Sequence, residues 1–135
     1  MNAIENLQAA MERGMRERPA VGGFPVFAEA LRAAGVQVNL WSLPSCQSLF
    51  VTSLGNVVVQ GKPLVEGMAN VPAFDEDALV RAIRADQAGE TTFDEFLAGA
   101  WQAGVVVYDV DFNARTVTYH GLNGGIYVEA YPSVA

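Results

Sequence analysis

Two segments of the chain close in the same way. "FAEALRAAGV" (Phe27 to Val36) and "FDEFLAGAWQAGV" (Phe93 to Val105) each read F-x-E-x-L, pass through small residues and end on Ala-Gly-Val. In both, a helical pattern stops at a glycine and gives way at once to strand-forming residues. A recurrence at roughly seventy residues is too long for a solenoid and fits a duplicated helix-plus-three-strand unit. Two similar αβββ units are therefore expected, over residues 24–60 and 92–131, with their sheets packed side by side or face to face.

The flanking patterns fill in the order. Ile4, Leu7, Met11 and Met15 recur at helical spacing, and this first helix ends before "RPAVGGFP". Pro25 suits the first turn of a second helix, which carries Phe27, Ala28 and Leu31 and stops at Gly35. Val36, Val38 and Leu40 then alternate with Gln37, Asn39 and Trp41, which puts Trp41 on the face of Asn39. "SLFVTS" and "NVVVQ" flank Leu54-Gly55 as a hairpin whose two faces are both mostly apolar, so both faces are expected to be covered. After a long loop, "GKPLVEGMANVP", come Asp75, Glu76 and Asp77, carboxylates that suit the first turn of a third helix ending at Gly89. Thr92 and Glu95 form a capping box opening a fourth, stopped by Gly104. Three strands follow, "VVVYDVDF", "TVTYH" and "IYVEAY". The order αα-βββ-αα-βββ predicts an α+β fold, helices packed on antiparallel sheet, in a single domain over residues 1–135.

Composition narrows the functions open to such a chain. With one cysteine there is no internal disulfide framework and no cysteine-based zinc site. The net charge is −7 and Lys62 is the only lysine, which argues against binding a phosphate backbone. The start, "MNAIENLQAAMERGMRER", has early acidic residues and no continuous apolar stretch, so no secretory leader is expected. The uncharged segment from Ala33 to Gly61 is broken by polar residues, so no membrane contact is expected and the reading is cytoplasmic. Charged residues are only 17% of the chain against 51% hydrophobic, a lean surface that points towards a homo-oligomer.

Three features could carry chemistry. A symmetric turn at Asn113-Ala114 puts Asp109 opposite Thr118, Asp111 opposite Thr116 and His120 opposite Val107 on one face, with His120 diagonal to Asp109. Glu129 is a candidate to join that face. Such a set is either a carboxylate-oriented general base, or an Asp/Asp/His/Glu metal site, or the wet face of an antiparallel sheet; the last is favoured, because D-x-D on a strand is a weak signal. Cys46 in "NLWSLPSCQSLF" is either a nucleophile, paired with His120 and oriented by Asp109 as in thiol hydrolases, or a small core residue. Its apolar, uncharged neighbours favour the core. Trp41, Ser45 and Gln47 form an uncharged, hydrogen-bonding stretch suited to a ligand or partner surface. "VGGFP" and "GLNGG" match no phosphate-cradling spacing, so no nucleotide cofactor is expected, and no metal.

The segments "RPAVGGFP", "NLWSLPSCQSLF", "VPAFDEDALVRAIRADQAGETTF", "AGVVVYDVDF" and "YVEAYP" carry a resemblance that covers the chain from about Arg18 onward. They resemble the YbcV/YdfO-like group of short bacterial and prophage-encoded proteins of unknown function, some of them labelled phage envelope protein. The resemblance implies a small α+β domain and brings no established activity, cofactor or site residue. Together these observations favour a non-catalytic module that binds a small molecule or protein and self-associates. The alternatives are a small hydrolase using Cys46 with His120, and an acidic prophage-encoded inhibitor protein.

Overall fold

The computed structural model describes residues 1–134. Its elements follow the expected order: α1 (Ala3–Glu17), α2 (Phe24–Ala33), β1 (Val36–Ser42), β2 (Gln47–Thr52), β3 (Val57–Gln60), α3 (Glu76–Gln87), α4 (Phe93–Gln102), β4 (Val107–Asp111), β5 (Thr116–His120), a single 3-10 turn (Leu122–Gly124) and β6 (Ile126–Ala130). Side chains set most helix starts. Asn2 with Glu5, and Thr92 with Glu95, form reciprocal capping boxes at α1 and α4, and the Asp75 carboxylate accepts the Ala78 N–H at α3. Pro25 occupies the first turn of α2, where a missing N–H costs nothing.

The six strands form one antiparallel sheet in the order β3-β2-β1-β4-β5-β6. Each three-strand run is a meander, and the two meet only where β1 pairs with β4. Leu40 faces Asp109 at the middle of that seam, and Leu40 faces Leu49 just as Asp109 faces Thr118. The same devices sit at matching places on each side. Gly35 and Gly104 follow α2 and α4 with φ of 90° and 89°, a region an L side chain enters only at a cost. Cys46 and Arg115 end the β1–β2 and β4–β5 turns with φ of 51° and 58°. Within those turns Leu43 and Phe112 are fully buried, and their N–H groups donate across the seam to Val106 and Gln37 carbonyls at 2.9 and 3.1 Å.

The helices cover one face of the sheet. There, Phe96 of α4 packs edge-on against Tyr108 and Tyr119, and the buried cluster runs on through Leu31, Leu79, Leu97, Val110 and Val117. A register shift between Val36 and Val38 breaks the simple alternation of β1. Buried Val36 thereby shares the covered face with Asn39 and Trp41, whereas Val38 and Leu40 point the other way. The expectation that the β2–β3 hairpin is covered on both sides is corrected. Leu49, Val51 and Val58 face outward with Val38 and Leu40, and no described element lies over them; Val58 is 58% exposed.

The segment between β3 and α3 is held at its far end by Phe74. Ideal Cβ atoms on Gly121 and Gly125 would lie 2.6 Å from the Phe74 ring, and one on Gly104 would lie 2.5 Å from the Ala73 carbonyl oxygen. Gly121 and Gly125 of "GLNGG" therefore wall a slot for an aromatic ring. This gives a paired test. Gly22 has φ of 65° but nothing within 4 Å, so Gly22→Ala should cost only the conformational penalty of about 1 kcal/mol. Gly104→Ala carries that penalty and a backbone clash, and should cost more than about 3 kcal/mol. Urea unfolding of both variants checks the difference, and equal losses would contradict the close approach of the Ala73–Phe74 backbone to Gly104.

Candidate functional site

The β4–β5 hairpin positions the candidate dyad. The Asp111 carboxylate accepts the N–H groups of Asn113 and Ala114 at 3.1 and 2.9 Å, which fixes the turn. That register sets Asp109 opposite Thr118 and His120 opposite Val107, and His120 Nε2 lies 2.9 Å from Asp109 Oδ2. The pair is on the uncovered face, with side chains 43% and 32% exposed. A carboxylate on one ring nitrogen orients the imidazole and fixes its tautomer, leaving the second nitrogen free for solvent or a ligand.

Glu129 is not part of this group. It pairs with Val117, so it lies on the helix-covered face, opposite to His120. There Arg84 donates to both its oxygens, and Tyr127 Oη and Gln87 also donate to it. Burial would raise the Glu129 carboxyl, but these hydrogen bonds outweigh it and hold the group below its ordinary range. The Asp/Asp/His/Glu set consequently divides between two faces, and among the described residues no three His, Cys, Asp or Glu side chains converge as metal ligands. The Arg84–Glu129 contact was missed in the sequence because it joins α3 to β6. Its one signal was a glutamate alternating into the tyrosine-rich face of the last strand.

Cys46 ends the β1–β2 turn and belongs to the buried core, 8% exposed. Its carbonyl accepts the Gly61 N–H at 2.8 Å, and a Cβ at Gly61 would come within 2.8 Å of Sγ. Burial, assisted by the nearby Asp94 charge, pushes the thiol pKa up, the wrong direction for a nucleophile at neutral pH. His120 hydrogen-bonds to Asp109 on the other face of the sheet, and no hydrogen bond joins it to Cys46.

Trp41 is placed apart from Ser45 and Gln47, which are joined through Gln60: its amide donates to the Ser45 carbonyl at 2.8 Å and accepts from Gln47. Trp41 is half-buried at the rim of the covered face, edge-on to Phe93 at 5.4 Å and stacked on Tyr108 at 6.1 Å. Phe93 is itself 49% exposed, so the two rings form an aromatic ledge open to solvent. Opposite Trp41 on β2 sits Ser48, whose buried hydroxyl has no hydrogen-bond partner. Ser45 bonds to Ser42 at 2.8 Å through their hydroxyls. Gln47 lies on the opposite face from Trp41 and donates to Gln60 at 3.0 Å.

Residues 16–130 match the family described as Protein of unknown function (DUF1398), and the chain belongs to that family. It is 56% identical over 131 residues to Uncharacterized protein Mb2035 of Mycobacterium bovis, a match covering 97% of this chain and 80% of that protein. Uncharacterized protein Rv2012 of Mycobacterium tuberculosis matches with the same 56% identity over 131 residues and the same coverage, 97% and 80%.

Two measurements check this geometry. Alkylation of native Cys46 should be at least about a hundredfold slower than in denaturant and should climb only above the ordinary thiol range. Rapid native labelling with a midpoint below neutral would restore the nucleophile. Glu129 has a lowered folded-state pKa, so its contribution to stability is complete above the unfolded-state value and lost as pH falls through the folded-state value. Denaturant midpoints between about pH 6 and pH 3 should thus fall more steeply for the wild type than for Glu129→Gln. Parallel curves would remove the ion pair from the acid response.

Proposed function

We propose that this DUF1398 protein is a non-catalytic binding or regulatory module that self-associates, with its ligand seated on the ledge formed by Trp41 and Phe93. The observation that carries this is the ledge together with the orphaned Ser48 hydroxyl beside it. A half-open aromatic surface next to a buried, unpaired polar group suits a planar or apolar molecule carrying one hydrogen-bonding group. Support for the non-catalytic half is chemical: the only thiol is buried with a raised pKa, and no hydrogen bond joins it to His120.

Two further parts of the reading concern context. Among the described residues no helix is long and apolar enough to cross a membrane, which supports a cytoplasmic site of action. Placement within the YbcV/YdfO-like, prophage-associated branch is supported by the quoted segments from "RPAVGGFP" to "YVEAYP".

A thermal-shift screen of metabolites on the wild type, Trp41→Ala and Phe93→Ala tests the ledge. A ligand at about a hundred times its dissociation constant should stabilise the wild type by about 2.7 kcal/mol, a rise of several degrees in Tm. Both variants should lose most of that rise. The reading sinks if every hit keeps its shift in both variants, or if a turnover is found that Cys46→Ser abolishes.

A further inference from the structure

We propose that the uncovered face of the sheet is an interface on which a second copy of this chain packs, face to face, centred on the aliphatic half formed by β1, β2 and β3. This rests on the self-association reading above and names its surface and partner.

The two halves of the sheet act as each other's control. Their registers match across the seam, so outward positions can be compared one by one. Leu40, Leu49 and Val51 stand where Asp109, Thr118 and His120 stand in the second half, while Val38 matches Val107 and Val58 matches Val128, so apolar residues also flank the polar centre of the second half, with Val128 54% exposed. If the face met only water, both hairpins would be expected to carry polar residues at these central positions, as the second does. The first instead sets Val38, Leu40, Leu49, Val51 and Val58 side by side, with Leu40 at 39% and Val58 at 58% exposed. A contiguous aliphatic patch of this kind marks a surface that is covered in use.

Charge permits a second copy as the occupant. The chain carries eight basic and fifteen acidic residues, yet the outward positions of the six strands hold two carboxylates and no lysine, arginine or glutamate. Both carboxylates are already engaged within the chain, Asp109 by His120 and Asp111 by the turn amides. Depletion of charge is the mark of an interface core. Two copies that each carry a net charge of −7 meet with least repulsion at such a patch, and a two-fold contact lays the same patch on itself. The available area suffices: six strands about 4.8 Å apart and five residues long project roughly 500 Å². A self-contact over the whole face would bury about twice that, near the roughly 1,000 Å² in total that a specific interface needs. Two sheets in this contact would stack about 10 Å apart with strands nearly aligned.

Sedimentation of the full chain over a concentration series tests the proposal. The wild type should be a dimer at about 10 micromolar, and Leu40→Lys and Val58→Lys should each weaken it by about tenfold or more. Leu122→Lys, exposed in the turn before β6 beside Val71 and Phe74, should leave it intact, and circular dichroism should show all three variants folded. A wild type that stays monomeric at several hundred micromolar overturns the proposal, as does a dimer that survives both on-face lysines or is lost equally with Leu122→Lys. A monomer that still binds a Trp41-dependent ligand sinks this inference and spares the ledge. A face-dependent dimer with no such ligand upholds it and sinks the ledge.

Discussion

Everything in this fold hangs on the pairing of β1 with β4. Each meander is a local structure, built from hairpins a few residues apart, and each pair of helices packs chiefly on itself. The seam alone turns two small sheets into one six-stranded platform, with residues as distant as Val38 and Asp111 directly opposed. Leu43 and Phe112 secure its two ends, because each is buried in a turn while its N–H reaches across to the other strand's approach. A charge or cavity at either position acts on both halves at once, since neither has a complete core alone.

How much of this was legible in the sequence depends on the range of the interaction. Caps, glycine stops and the order of elements are set within a few residues, and Thr92 with Glu95, Gly35, Gly104 and Asn113-Ala114 all lie where their chemistry requires. The His120–Asp109 contact was legible for the same reason: a two-residue turn centre fixes every opposing pair in the hairpin. The recurrence was visible but out of phase. The shared F-x-E-x-L set Phe27 against Phe93, whereas α2 and α4 both begin at a phenylalanine, Phe24 and Phe93, which aligns Phe27 with Phe96.

What stayed hidden needed either a break in period or a long-range neighbour. The irregularity at Gln37 changes which residues share a face with Val36, and nothing in "VQVNLW" announces an extra residue. Glu129 was a candidate for the wrong face because its strand could be placed only by knowing which residue of β5 it meets. The glycines of "GLNGG" looked like an ordinary loop, since their partner, Phe74, arrives from the opposite end of the domain's second half. Cys46 and His120 were the attractive pair on residue type alone, and burial gives each a different setting: one a raised thiol in the core, the other an oriented imidazole in the open.

The way the chain crosses between its halves has a consequence of its own. The crossing from β3 to α3, whose Met68 is fully exposed, takes part in no strand pairing, and Phe74 secures its far end in the glycine slot. A cut in the loop ahead of that ring would sever no ladder and remove no helix. The polypeptide is thus a tethered pair whose two pieces hold each other through the seam, and the tether raises their effective concentration more than it shapes them. Such a molecule invites separation into two fragments that regain one sheet on mixing, a behaviour set by the topology and independent of what the ledge or the open face binds.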